Sequence, residues 1–153
     1  MRTSTKKHLV AFPAAVILTA VLASLCSTQF VLAELTALGI EISVSARIAM
    51  CFEDLGILRS LLPAVAACWL VGFPVAHALE ARIGGNRNAW FAAAGGAALV
   101  GELLIMQAVL GVTAIAGARS LPGLLCQGVA GALGGYLFAR MTRVPRPEED
   151  LDA

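Results

Sequence analysis

Four long apolar stretches dominate the chain. They run from about Leu9 to Leu32, Leu61 to Leu79, Ala89 to Leu110 and Leu121 to Ala139. A helix needs about 20 mostly apolar residues to cross a hydrocarbon core of roughly 30 Å, and each stretch is of that order. The runs are continuous rather than alternating, which excludes a transmembrane β-barrel. The pattern predicts an all-α integral membrane protein: one domain over residues 1–143, built as a four-transmembrane-helix bundle. A Pro-interrupted acidic tail, residues 144–153, is expected to be disordered.

Composition narrows the class. Of 153 residues, 59% are hydrophobic and only 14% charged, with a mean hydropathy of +0.84. An ordinary soluble domain carries about 25% charged residues, and so short a chain has too little interior to hide the excess apolar surface. The net charge of +1 offers no basic surface for nucleic acid. The expected partner is a lipid bilayer.

Lys and Arg set the orientation. Arg2, Lys6 and Lys7 precede the first span, Arg82 and Arg87 separate spans two and three, and Arg140, Arg143 and Arg146 follow span four. Only Arg47, Arg59 and Arg119 fall on the other side. The richer side is expected to be cytoplasmic, placing both termini inside a bacterial-type inner membrane. Trp90 and Tyr136 then fall near the cytoplasmic interface, where amphipathic rings are favoured. The basic N-terminus and Val31-Leu32-Ala33 resemble a secretory signal and cleavage site. The apolar run exceeds the usual 7–15 residues of a signal, so an uncleaved anchor is expected.

Between spans one and two, Gly39 to Ser45 alternates apolar and polar residues, which suits an extended segment. Ser45 is then placed to cap a short amphipathic helix over about Ala46 to Leu55. Ile48, Phe52 and Leu55 share one face of it. The expected role is a lid sealing the periplasmic end of the bundle, with a partner surface as the alternative. The turn Ile83 to Asn88 is Gly-rich but has neither a phosphate-loop Lys-Ser/Thr nor a preceding strand, so it does not predict nucleotide binding.

The polar residues inside the spans are few. Glu102 in span three is the most informative. An ionised carboxylate at the bilayer centre costs about 2.5–3.5 kcal/mol on insertion scales, so it is expected to face inward with a partner. On a helical wheel it shares a face with Gly95, Ala98, Ile105 and Val109. Depth suggests Gln127 as that partner. Glu102 lies 13 residues after Ala89, and Gln127 lies 13 residues before Arg140. At about 1.5 Å per residue, both sit roughly 20 Å from the inner face. Gln127 shares a stripe with the close-packing glycines Gly123, Gly131 and Gly134. Gly128 and Gly135 point elsewhere on span four, predicting a second close contact with span one, span two or another polypeptide.

Weaker candidates are His77, near the cytoplasmic end of span two with Glu80 three residues on, and Gln107. A proton path through them is thin, because Gln107 and Gln127 are not ionisable. His8 and His77 do not form an intramembrane haem pair, and Thr19 and Ser24 have no nearby base. The four cysteines (Cys26, Cys51, Cys68 and Cys126) show no C-x-x-C spacing. Cys26 and Cys51 lie on the same predicted side, but free thiols are expected for all four. The paired cysteines of quinone-coupled disulfide oxidases and the first-span glutamate of small multidrug exporters do not occur. The expectation is a non-enzymatic accessory, assembly or structural subunit without cofactor or metal, acting as a homo-oligomer or beside a membrane-protein partner. The alternative is a small transporter or channel using Glu102 as a proton or cation site, with an intramembrane enzyme third.

Overall fold

A computed structural model describes residues 2–54, 56, 58–111 and 116–143. The described residues form five α-helices and no strand: α1 (Arg2–Ala37), α2 (Val44–Asp54), α3 (Leu58–Ile83), α4 (Arg87–Leu110) and α5 (Leu121–Met141), with a 3-10 turn at Ala116–Arg119 before α5. Four are long and apolar enough to cross a membrane, over Lys7–Ala37, Leu61–Ile83, Arg87–Val109 and Leu121–Met141. The architecture is that of a multi-pass membrane protein. The acidic tail, Leu55, Ile57 and residues 112–115 of the connection before α5 lie outside the described residues.

The helices close a ring in chain order. α1 packs on α3 and α5, and α4 packs on α3 and α5, with α4 against α5 the most extensive contact. One end of the bundle carries an aromatic core. The Phe73 and Phe138 rings stack at 4.7 Å, Phe91 lies 5.3 Å from Phe73, and Trp69 lies 4.6 Å from it on the other side. These rings reach across the ring of helices and fill its centre.

The ends of α1 and α2 differ from the sequence expectation. α1 runs 36 residues, about 54 Å, and stops at a glycine. Gly39 takes φ 81°, the Ile40 N–H donates to the Leu35 carbonyl at 3.2 Å and the Gly39 N–H to Thr36 at 3.0 Å. This left-handed closure uses the first residue of the segment expected to be extended, leaving only Ile40 to Ser43 without regular structure. The α2 cap is Ser43 rather than Ser45. Its hydroxyl accepts from the Ala46 N–H at 3.3 Å, and Ser45 instead contacts the Ser43 hydroxyl at 3.0 Å.

Nor is α2 a lid. None of its residues is buried, and Val44, Ile48 and Phe52 point away from the bundle. The helix is fastened by polar groups at its C-terminal end. The Thr28 hydroxyl donates to the Asp54 carboxylate at 2.6 Å, and Ser24 donates to the Asp54 carbonyl at 3.2 Å. An apolar face turned outward suits a helix lying at a membrane interface.

Candidate functional site

The α4–α5 seam decides where every intramembrane polar group points. A Cβ built on Gly131 would stand 2.5 Å from the Gly95 carbonyl oxygen, and one on Gly96 2.8 Å from the Gly128 oxygen. A Cβ on Gly135 would collide with the Phe91 carbonyl. The backbones touch, as small-xxx-small helix pairs allow. The contact line also travels around α4. It starts at Phe91 and Ala92 opposite Gly135, passes Gly95 and Gly96 opposite Gly131, and ends at Gly96 and Val100 opposite Gly128.

That drift corrects the expected Glu102–Gln127 bond. Gly95 and Glu102 are seven residues apart and share a wheel face, but the helix axes cross. At the depth of Glu102 the seam has moved away, and the carboxyl turns toward α3. Gln127 turns toward α1, and its Nε2 donates to the Ala23 carbonyl at 3.0 Å. The two side chains leave the seam toward different helices. The same crossing leaves Ile105 and Val109, expected beside Glu102 on the inner face, 63% and 74% exposed.

The glycines of α5 follow suit. Gly128 and Gly135 face α4, whereas Gly134, from the Gln127 stripe, is the residue that meets α1 at Thr19 and Ala15 and α3 at Trp69. The second close contact exists inside the bundle, on the opposite stripe from the one expected.

Glu102 is buried, with 7% of its surface exposed. The Cys68 thiol on α3 is its neighbour in the same groove, and Glu102 Oε2 has no partner among the described residues. The carboxyl lies in a groove of about 750 Å³ between α3 and α4. Small residues form much of that groove, among them Ala67, Gly72, Ala94, Ala97, Ala98 and Gly101. A Cβ on Gly101 would meet nothing within 4 Å. A neutral polar group buried without a hydrogen bond costs about 1–3 kcal/mol, so the groove holds the Glu102 carboxyl in a state that a further donor or acceptor would improve.

The weaker candidates do not join it. Gln107 is exposed. The His77 side chain is 71% exposed, with Nδ1 3.7 Å from Glu80 Oε2. Glu80 bonds Arg87 more closely, at 3.1 Å. Cys68 and His77 are nine residues apart, about 13 Å along α3, and the groove between is lined by Val71, Gly72, Val75 and Ala76. None of these carries a proton between the two ends. Among the described residues no cluster of three or more His, Cys, Asp or Glu is placed to hold a metal. All four cysteines are free thiols, and the neighbour of Cys26 is Cys126 on α5, while Cys51 Sγ lies 3.9 Å from Gln29 Nε2. Sequence reasoning missed the Cys68 contact, because a lone cysteine in an apolar span carries no directional signal.

Comparison of the chain with protein-family models, with curated proteins and with solved structures gives no match.

Proposed function

We propose that the protein is a non-enzymatic accessory or assembly subunit of a membrane complex, and that its α3–α4 groove receives a transmembrane helix of another subunit. The carrying observation is Glu102 Oε2, buried without a partner among the described residues in a groove otherwise lined mainly by small apolar residues. Small side chains let a neighbouring backbone approach closely, and an interhelical hydrogen bond in a membrane is worth about 0.6–2 kcal/mol. A helix offering a hydrogen-bonding side chain at this depth gains both terms.

The proposed setting is a bacterial-type inner membrane with both termini cytoplasmic and α2 at the periplasmic surface. The asymmetric distribution of Lys and Arg supports it. Reporter fusions after Arg143 and within Gly84–Asn88 are expected to report cytoplasm, and one at Glu41 periplasm; a periplasmic signal after Arg143 contradicts the arrangement.

The second reading, a proton or cation site, rests on the same unpartnered carboxyl, and Glu102 variants separate the two. Under docking, Glu102→Gln keeps association within about threefold because it still hydrogen-bonds. Glu102→Ala weakens association about tenfold, the equivalent of one interhelical bond. Neither variant lowers the thermal midpoint of the isolated chain by more than a few degrees, since Gln127 does not depend on Glu102. Proton or cation flux into liposomes that is present in the wild type and lost in Glu102→Gln overturns docking in favour of transport.

A further inference from the structure

The end of the bundle where α1 begins and α5 finishes holds a second cavity, of about 890 Å³, distinct from the Glu102 groove. Its floor is apolar and aromatic, made by Phe73, Phe91 and Phe138, and its rim is basic. His8, His77, Arg87 and Arg143 line it, coming from α1, α3, α4 and the residues after α5. The chain's only two histidines thus meet at one cavity from different helices. Chance placement of interfacial cations does not require a shared concavity.

Arg87 is held in place rather than left waving. Its Nη1 donates to Glu80 Oε2 at 3.1 Å, its Nη2 to the Thr142 hydroxyl at 2.9 Å, and its guanidinium stacks 4.5 Å over the Phe91 ring. Its buried Nε has no partner among the described residues. Among the described residues Glu80 is the one carboxylate lining the cavity. Set against Arg87 and Arg143, it leaves these lining residues one net positive charge before either histidine is protonated. The N-terminus of α4 opens into the same space and carries no acidic residue in its first turn, so its dipole adds to the positive field. Trp90, whose indole donates to the Gly84 carbonyl at 2.8 Å, and Tyr136, with Arg140 5.8 Å from its ring, mark this end as the level of the headgroups.

We propose that this cavity binds an organic phosphate, with the phosphate at Arg87 and Arg143 and the organic body over the aromatic floor. A fixed guanidinium whose Nη1 and Nη2 each carry a second N–H beyond the bonds to Glu80 and Thr142 suits a phosphate oxygen, and the volume is several times that of an inorganic ion and typical of organic ligands. The site is independent of Glu102 and of the docking proposed there. The phosphate has two possible sources, an anionic lipid headgroup or a soluble phosphate ester.

The test measures thermal midpoint and bound ligand by native mass spectrometry. The protein is placed in phosphatidylcholine nanodiscs with or without phosphatidylglycerol, and separately in phosphatidylcholine with millimolar glycerol 3-phosphate. Stabilisation by phosphatidylglycerol alone assigns the lipid source, and stabilisation by the soluble ester assigns the other. Arg143→Glu, which alters an exposed side chain with no hydrogen bond or ion pair among the described residues, is expected to weaken binding about tenfold or more. Arg82→Glu, at the same end of the bundle but outside the cavity, is expected to leave it within about threefold. His77→Ala gives a second variant that spares the fold and is expected to reduce binding. Stabilisation by neither phosphate, or equal losses in Arg143→Glu and Arg82→Glu, overturns the proposal. Equal losses would reduce the effect to general attraction between interfacial cations and anionic lipid.

Discussion

The two faces of α4 are made from nearly the same residues and are put to opposite use. Toward α5, Gly95, Gly96, Gly131 and Gly135 bring backbones into contact and leave no room for a single methyl group. Toward α3, Ala94, Ala98 and Gly101 stop short of closure, and a groove of about 750 Å³ remains with Glu102 inside. Small residues by themselves therefore do not say whether a helix face is filled. The partner surface decides. α5 presents glycines in register with those of α4, whereas α3 lines its side of the groove with the larger Cys68, Val71 and Val75.

The polar groups divide the same way. Gln127 is completely buried and is tied by its Nε2 to the Ala23 carbonyl of α1. Glu102 is nearly as buried, but its Oε2 is unpaired among the described residues. One belongs to the closed side of the bundle and the other to the open side.

Gly135→Leu tests the closed side hardest. Its side chain would have to displace the Phe91 carbonyl and the Ala92 Cα, and the loss is expected to exceed about 3 kcal/mol. Thermal unfolding and size-exclusion in mild detergent are expected to report a dissociated or unfolded chain. An unchanged midpoint would mean that the α4–α5 backbones do not touch.

Gln127 should give a middling effect. Gln127→Ala loses a hydrogen bond and opens a void, at about 1–3 kcal/mol. Gln127→Leu fills the space and removes the unpaired Oε1, and should cost under about 1 kcal/mol. If the two variants were equally costly, the Ala23 bond would outweigh packing on this side.

Gly101→Leu is the mirror of Gly135→Leu and should do the least. The new side chain enters open groove, so the isolated chain is expected to change by less than about 0.5 kcal/mol. A large destabilisation would show the groove to be closed in the membrane.

The same comparison explains what was legible from sequence. The four spans follow directly from hydropathy, because crossing a bilayer demands length and composition and little else. Inward burial of Glu102 and Gln127 follows from the cost of polar groups in hydrocarbon. Their pairing does not, because a helical wheel assumes parallel axes and the α4–α5 seam crosses. The residues placed beside Glu102 by the wheel, Ile105 and Val109, fall outside for that reason. Ser43 took the cap expected of Ser45 because a Schellman closure at Gly39 shortened the segment before α2. Two serines two residues apart are equal in propensity, and only the tertiary path chooses between them.

The most direct test of the open face is photo-cross-linking in native membranes. A photoreactive residue replaces Ala97, on the groove, or Val129, an exposed position on α5. Docking predicts a discrete protein adduct at Ala97 that disappears when Gly101→Leu is added, and none at Val129. An adduct of twice the chain mass would identify the partner as a second copy. No protein adduct at Ala97, or one that persists unchanged with Gly101→Leu, would contradict a docked helix in the groove.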